Sequence, residues 1–428
     1  MELSKGTKVN LTAGFSATVI KELGRGGQGI VYLVQAEGKQ LALKWYTTPL
    51  DEKFYKNLER NIACGPPSDN FIWPLYLTQK QYGSFGYLMR LRPEGYFEFG
   101  NYLLARQKFA SINAMFTCAM KICNAFMMLH RFGFSYQDLN DGNFFIRPSD
   151  GDVLICDNDN VMPQGEKSGI MGKARYMAPE VIAGGIPDKY SDRFSLSVIL
   201  FMLFFGNHPF EGAKVVACPC MTEQFEKSFY GKDAVFIYDP TDKSNLPVRG
   251  VHGNVIKRWP LFPSLLKQTF EQQFAKDCLA HPNKRMIEQQ WQKIISKTKD
   301  LLIVCPHCKE ETFADAHNEH NLCIACGKDI NTDKQLHIDS RHIVLSAGTL
   351  LYLTDAVTPE GKTETFPSDN NLTVIRNISQ NNWIATTPSG KIKTVKPQEF
   401  FPVINGLKVS FGQNAASNTA VKGEITVK

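Results

Sequence analysis

The chain has 428 residues, 43% of them hydrophobic and 21% charged, with a formal net charge of +6. That length exceeds one ordinary core and fits two or three domains, and the composition excludes wholesale disorder. Lysines and arginines form no dense block, so charge names neither a nucleic acid nor a membrane as partner.

The opening MELSKGTKVN lacks the basic flank, apolar core and cleavage site of a secretory signal, so the cytoplasm is the expected compartment. The longest apolar stretch, residues 198–205, is too short to span a bilayer. Of eleven cysteines, four form two CxxC pairs, which points to metal and not to disulfides.

Taken in order, residues 13–47 alternate β-rich runs (18–23, 30–36, 40–45) with tight turns, one at Glu37-Gly38. Gly24, Gly26, Gly29 and Val31 make the pattern GxGxxGxV between the first two runs, where a mobile backbone can offer N–H groups to phosphates; alone this signal is weak. The run Leu41-Ala42-Leu43-Lys44 then puts an ammonium on the third strand, within reach of phosphates if a carboxylate holds it. Helical spacing follows at 51–63 (Phe54, Leu58, Ile62) and stops before Pro66-Pro67. Glu59 on that helix is the expected partner of Lys44, with Glu52 as the fallback.

Strands are predicted at 71–78 and 85–91, and from about residue 101 the texture becomes helical, at 112–132 and 191–205, with short strands and loops at 134–180 between them. A small β lobe followed by a larger α lobe implies a cleft. Further helices are predicted at 261–279 and 286–298, and 340–428 turns β-like again. The irregular stretch 207–262, with Cys218-Pro219-Cys220, is expected to be a loop region facing substrate.

The sharpest signal is Tyr136-Gln137-Asp138-Leu139-Asn140-Asp141-Gly142-Asn143, an apolar strand, then Leu154-Ile155-Cys156-Asp157. A carboxylate five positions before an amide, with a second carboxylate ending the next strand, suits proton acceptance beside bound metal.

With these residues in order, the chain resembles the eukaryotic-like protein kinases over roughly 15–300. Met177-Ala178-Pro179-Glu180 is similar to that family's Ala-Pro-Glu, residues 191–196 to its Asp-containing helix, and His281-Pro282-Asn283-Lys284-Arg285 to its closing His-Pro-x-x-Arg, which implies an Arg285–Glu180 pair. The resemblance implies Asp138 as catalytic base, Asn143 and Asp157 as ligands of Mg²⁺ or Mn²⁺, and Lys44, paired with Glu59, as the cation that positions ATP. Gly24, Gly26, Gly29, Val31 and Ala42 are then nucleotide-binding residues, and serine or threonine hydroxyls of proteins are the implied substrates. A catalytically silent ATP-binding scaffold is the competing reading.

Three departures stand out. Gln137 replaces an arginine that in the family grips a phosphorylated activation loop, so activity without phosphorylation of Ser168 is expected. Asn140 replaces a lysine two residues after the catalytic aspartate, and Lys173 is either its substitute or a solvated loop residue. Asp157-Asn158-Asp159 stands where Asp-Phe-Gly is expected, removing an apolar plug and bringing another carboxylate near the metal. Bacterial kinases of tellurium-resistance and stress-response systems, with this turn and a zinc ribbon behind the kinase, resemble the chain most narrowly.

Cys305, Cys308, Cys323 and Cys326 form two CxxC knuckles, a spacing that presents four thiolates to a structural Zn²⁺. His317 and His320 lie between them and are expected to remain surface histidines. In the tail, residues 372–379 and 409–412 faintly resemble forkhead-associated phosphopeptide-binding domains, as does Ser340-Arg341-His342 at an earlier place, although an interaction module without phosphopeptide reading is the stronger expectation. The expected architecture is α+β: a bilobal protein-kinase fold at 13–300 (lobes 13–92 and 93–300), a Cys₄ zinc ribbon at 301–335 and an all-β module at 340–428. Regulatory proteins docking on ribbon and tail are the expected partners, with no nucleic acid or membrane.

Overall fold

The computed structural model describes residues 2–167, 169, 172–354, 356–413 and 419–428. Six antiparallel strands form the first lobe: β1 Lys8–Asn10, β2 Ser16–Arg25, β3 Gly29–Ala36, β4 Lys39–Tyr46, β5 Pro74–Leu77 and β6 Gly86–Met89, in spatial order β1-β2-β3-β4-β6-β5. Ala36 pairs with Lys39, so β3 and β4 are joined by the two residues Glu37 and Gly38, both at positive φ (47° and 75°). That turn geometry matches strand twist. Helix α1, Glu52–Cys64, starts where the Asp51 carboxylate accepts the Phe54 N–H at 2.8 Å and stops at Gly65. Its Phe54 and Leu58 pack with Tyr46, Tyr87 and Met89 on one face of the sheet.

The second lobe is helical, built around Ile112–Arg131, Lys189–Phe205, Ser264–Gln273 and Glu288–Lys299. Ile112–Arg131 is 20 residues long with a mean hydropathy of 1.4, enough by length and composition to cross a bilayer and a longer window than the apolar run at 198–205 suggests. Its side chains, Phe116, Cys123 and Phe126 among them, are instead interior residues of the lobe. Phe201, Phe205, Phe270 and Phe274 form an aromatic cluster with ring centroids 4.8–6.1 Å apart.

Arg285, with no exposed side-chain surface, forms two 2.7 Å hydrogen bonds to Glu180 and donates to the carbonyls of Tyr190 and Leu279. Glu180→Ala leaves that guanidinium buried without its counter-ion, so we expect a loss of about 3 kcal/mol, the low end for broken buried pairs because Glu180 is partly solvated. Urea unfolding checks this, and a loss below ~1 kcal/mol would show the pair to be held mainly by solvent.

Behind this lobe, the hairpin Leu302–Val304 and Glu311–Phe313 carries the first cysteine knuckle, and the Leu322–Asp329 bridge closes the second. Phe313 packs on Phe116 and Phe262, and Glu311 accepts the Asn113 N–H at the start of the Ile112–Arg131 helix. The tail is a two-sheet module of six and four strands around Leu336, Leu351, Ile375, Trp383, Phe401 and Phe411. Its first strand, Lys334–Ile338, begins inside the stretch expected to belong to the ribbon, because Lys334 already pairs with Val427 of the final strand. Arg341 of the Ser340-Arg341-His342 segment makes two 2.7 Å bonds to Asp300, tying the tail to the end of the last kinase-lobe helix.

Candidate active site

Alternation along β4 sends Ala42, Lys44 and Tyr46 to one side of the sheet, Lys44 lying opposite Val31 of β3. Lys44 Nζ is 2.7 Å from Asp159 Oδ2 and 3.3 Å from Asp157 Oδ1. Tyr46 donates its hydroxyl to the same Asp159 oxygen at 2.5 Å. Burial works to discharge the ammonium, but the two aspartates outweigh it and hold the Lys44 pKa above its ordinary value.

The expected Lys44–Glu59 pair is therefore corrected: Lys44 pairs with the aspartate turn, Glu59 is exposed, and the fallback Glu52 pairs with Lys80 at the surface. Asn57 and Asn61, four residues apart on the inner face of α1, both donate to the Val161 carbonyl, at 2.9 and 3.0 Å. Glu59, two residues from each, is turned to the opposite face. The signal in the sequence is two uncharged asparagines at helical spacing among apolar positions.

Strand Phe144–Arg147 pairs with Asp152–Ile155, with Phe144 facing Ile155, so Asn143 and Cys156 flank the hairpin's end and Asp157 follows one residue beyond. The Cys156 N–H donates to the Asn143 carbonyl at 2.8 Å. Asp157 takes the left-handed backbone (φ 54°, ψ 47°), aiming its half-exposed carboxylate into the cleft while the next three residues form a tight turn. Asn158, wholly buried, donates to the carbonyls of Ile72 (2.8 Å) and Ile155 (3.0 Å), so a polar side chain fills the apolar-plug position by stitching the lobes together.

The loop before Asn143 is held from below. The Asp192 carboxylate accepts the backbone N–H of Tyr136 and of Gln137, at 2.6 and 3.2 Å, and His130 bridges Asp192 (3.1 Å) to Glu288 (2.9 Å). Burial opposes charge on His130, but the two carboxylates raise its pKa to about 9, so both ring nitrogens donate at neutral pH. Gln137, at φ 69°, donates its amide to the Glu166 carbonyl at 2.6 Å, tethering the following segment without a phosphate. Ser168 lies outside the described residues.

Asp138 receives a 3.3 Å bond from the Asn140 amide, whose oxygen accepts Lys173 Nζ at 3.1 Å. Gly172 passes close above, since a Cβ there would sit 3.3 Å from Asp138 Oδ1. Burial, then the neighbouring Asp157, push the Asp138 carboxyl up to about 6. Asn143 is buried and its side-chain oxygen accepts the Asn140 N–H at 3.0 Å.

Above these groups, Val31, Ala42, Met89, Leu91, Phe145 and Leu154 belong to one apolar cluster spanning both lobes. In the Gly24–Gly29 turn, Gly24 and Gly27 face open space, whereas a Cβ on Gly29 would meet the Trp45 carbonyl at 2.2 Å, so only glycine permits the close approach of β3 to β4 at that pair. Away from the cleft, the sulfurs of Cys305, Cys308, Cys323 and Cys326 lie within 4.8 Å of one another. The His307 and Ala325 N–H groups point at Cys305 and Cys323 sulfur, both at 3.4 Å. His317 packs edge-on against His342 instead of joining them.

Residues 17–305 match the family model of the protein kinase domain. The chain is 30% identical over 206 residues to cGMP-dependent protein kinase 2 of Rattus norvegicus, covering 45% of this chain and 26% of that protein. It is 27% identical over 208 residues to protein kinase C delta type of the same organism (46% and 30% covered). To a probable serine/threonine-protein kinase PknB of Bifidobacterium longum it is 30% identical over 103 residues (22% and 15% covered). The chain thus spans less than a third of the length of each of these relatives. The Mycobacterium tuberculosis PknI kinase domain superposes with 18% identity and a TM-score of 0.45, over 69% of this chain and all of that one.

Proposed function

The chain belongs to the protein kinase domain family, and on that premise we propose that it transfers the γ-phosphoryl group of ATP to serine or threonine hydroxyls of protein substrates. The observation that carries this reading is the meeting of Lys44 with Asp157 and Asp159, from a stretch more than a hundred residues away (113 for Asp157), beside Asn143 and Asp138. Phosphoryl transfer asks for positioning and charge neutralisation more than for covalent chemistry, and these groups supply both.

Asp138 is the proposed base that accepts the substrate hydroxyl proton, and Lys44 the cation that orients the α- and β-phosphates under Gly24, Gly26 and Gly29. The purine edge is proposed to lie against Val31 and Ala42. Asn143 and Asp157 are the proposed ligands of Mg²⁺ or Mn²⁺. An all-oxygen set with Asp159 Oδ1 buried and without a hydrogen-bond partner among the described residues fits a hard cation there. When bound, that cation neutralises charge on the β- and γ-phosphates. Asp159 holds Lys44 in the role expected of Glu59.

Asn140 leaves the loop without a cation beside the base, and we assign that charge to Lys173, whose ammonium reaches the Asn140 amide. Lys173→Ala is expected to lower kcat by about 10²-fold with little change in the KM for ATP. Asn140→Lys in that background should restore most of the loss, and an unchanged kcat in Lys173→Ala would make this a solvated loop lysine.

The four ribbon cysteines are proposed to hold one structural Zn²⁺: at Cys323 burial opposes ionisation, but the Cys326 and Ala325 N–H groups help bring the thiol down to about 6. Ribbon and tail are proposed to dock regulatory proteins in the cytoplasm. With Arg341 engaged by Asp300, the tail is read as an interaction module and not as a phosphopeptide reader. The Asp157-Asn158-Asp159 turn followed by a Cys₄ module supports a bacterial tellurium-resistance or stress-response setting. Transfer of radiolabelled phosphate from ATP–Mg²⁺ to a generic protein, parent against Asp138→Ala, tests the reading; equal background counts from both would leave the silent scaffold.

A further inference from the structure

A cavity of about 550 Å³ lies well away from the cleft, between the helical lobe and the cysteine ribbon. That volume falls in the range of small-molecule sites. Its walls are largely apolar, with Leu103, Phe109, Met115, Leu203 and Phe262 from the lobe and Ile324, between two ribbon cysteines, from the other side. Charge in the lining is not balanced locally. Arg258 is half-buried in the wall, and among the described residues its recorded contact is a long one, 3.4 Å to the Phe204 carbonyl. Burial alone holds its pKa below the ordinary value, so no carboxylate compensates it. Lys108 and Lys309 add positive charge at the rim. The lining holds two acids, Glu310 and Glu311, the latter accepting the Asn113 N–H, against three cations, so one positive charge is left over.

We propose that this cavity binds a free amphiphilic anion, a long-chain or aromatic carboxylate whose apolar body fills the space between lobe and ribbon and whose head group meets Arg258. An apolar chamber carrying one uncompensated guanidinium is complementary to a ligand of that kind, and to neither a neutral hydrocarbon nor a polyanion such as a nucleotide. Because both pieces of the chain form the walls, occupancy fastens the ribbon to the lobe. The proposal is independent of the phosphoryl-transfer reading.

Calorimetric titration of the full, metal-loaded chain with dodecanoate below its critical micelle concentration is the test, with dodecanol as the uncharged control. Saturable 1:1 binding of dodecanoate is expected, with amide-exchange protection at 309–311 and 324. Ala110→Trp, at an exposed lining position that disturbs no interior packing, should plug the chamber and weaken binding at least tenfold; Leu103→Trp repeats the plug from a second wall. Arg258→Gln should weaken dodecanoate by roughly tenfold, the worth of one charged hydrogen bond, and leave dodecanol unchanged. Absence of saturable binding, binding indifferent to both tryptophan variants, or an equal response of acid and alcohol to Arg258→Gln overturns the proposal. Protection of the ribbon by phosphatidylglycerol vesicles but not by dodecanoate also overturns it, in favour of a membrane lipid.

Discussion

Asp138→Asn is expected to lower kcat by about 10²–10⁴-fold while ATP affinity stays within a few-fold, because the substitution removes the proton acceptor and keeps its shape. The Asn140 bond and the Gly172 approach both depend on that shape. The pH profile supplies an independent signature. Asp138 must be ionised to accept a proton, and burial with the nearby Asp157 raises its pKa to about 6. Parent kcat/KM should therefore fall as pH drops through about 6, and Asp138→Asn should lose that limb. A variant that retains both its rate and the acid limb would remove Asp138 from the chemistry.

Removing the zinc proposed for the four cysteines is expected to have the second large effect. Structural zinc contributes on the order of 10–16 kcal/mol to modules of this kind, too small for a core of their own. Chelation, or Cys305→Ser with Cys308→Ser, should unfold the ribbon and withdraw Phe313 from Phe116 and Phe262. Losing that partly buried ring is expected to destabilise the helical lobe by about 2 kcal/mol, which for a unit of this size lowers Tm by roughly 4–8 °C. Metal analysis of the purified chain should give one zinc per molecule. A chain that contains none, and melts unchanged after chelation, has no structural metal at these cysteines.

The two-lobed order and the clustering of the four cysteines were legible because they rest on short-range spacing. Asn143 and Asp157 are brought together by a hairpin, and CxxC knuckles by single turns, so few alternatives exist once the local pattern is right. The partner of Lys44 was not legible in the same way. Glu59 sits at plausible spacing on a helix of the right length, yet α1 is rotated by Asn57 and Asn61 binding the Val161 carbonyl. Asn158 similarly reads as a lost plug in the sequence, and only the positions of the Ile72 and Ile155 carbonyls reveal what its amide nitrogen binds.

By itself, then, the sequence determined the family, the two lobes and the clustering of the four cysteines, and it named Asp138, Asn143, Asp157 and Lys44 as the groups to test. Tertiary structure alone decided that Asp159 neutralises Lys44, that Arg341 is spent on Asp300, that Lys173 faces Asn140, and that a chamber opens beside Arg258. Distances along the chain are fixed by covalent geometry, whereas the direction in which a side chain points across a lobe is the outcome of every packed helix and strand around it.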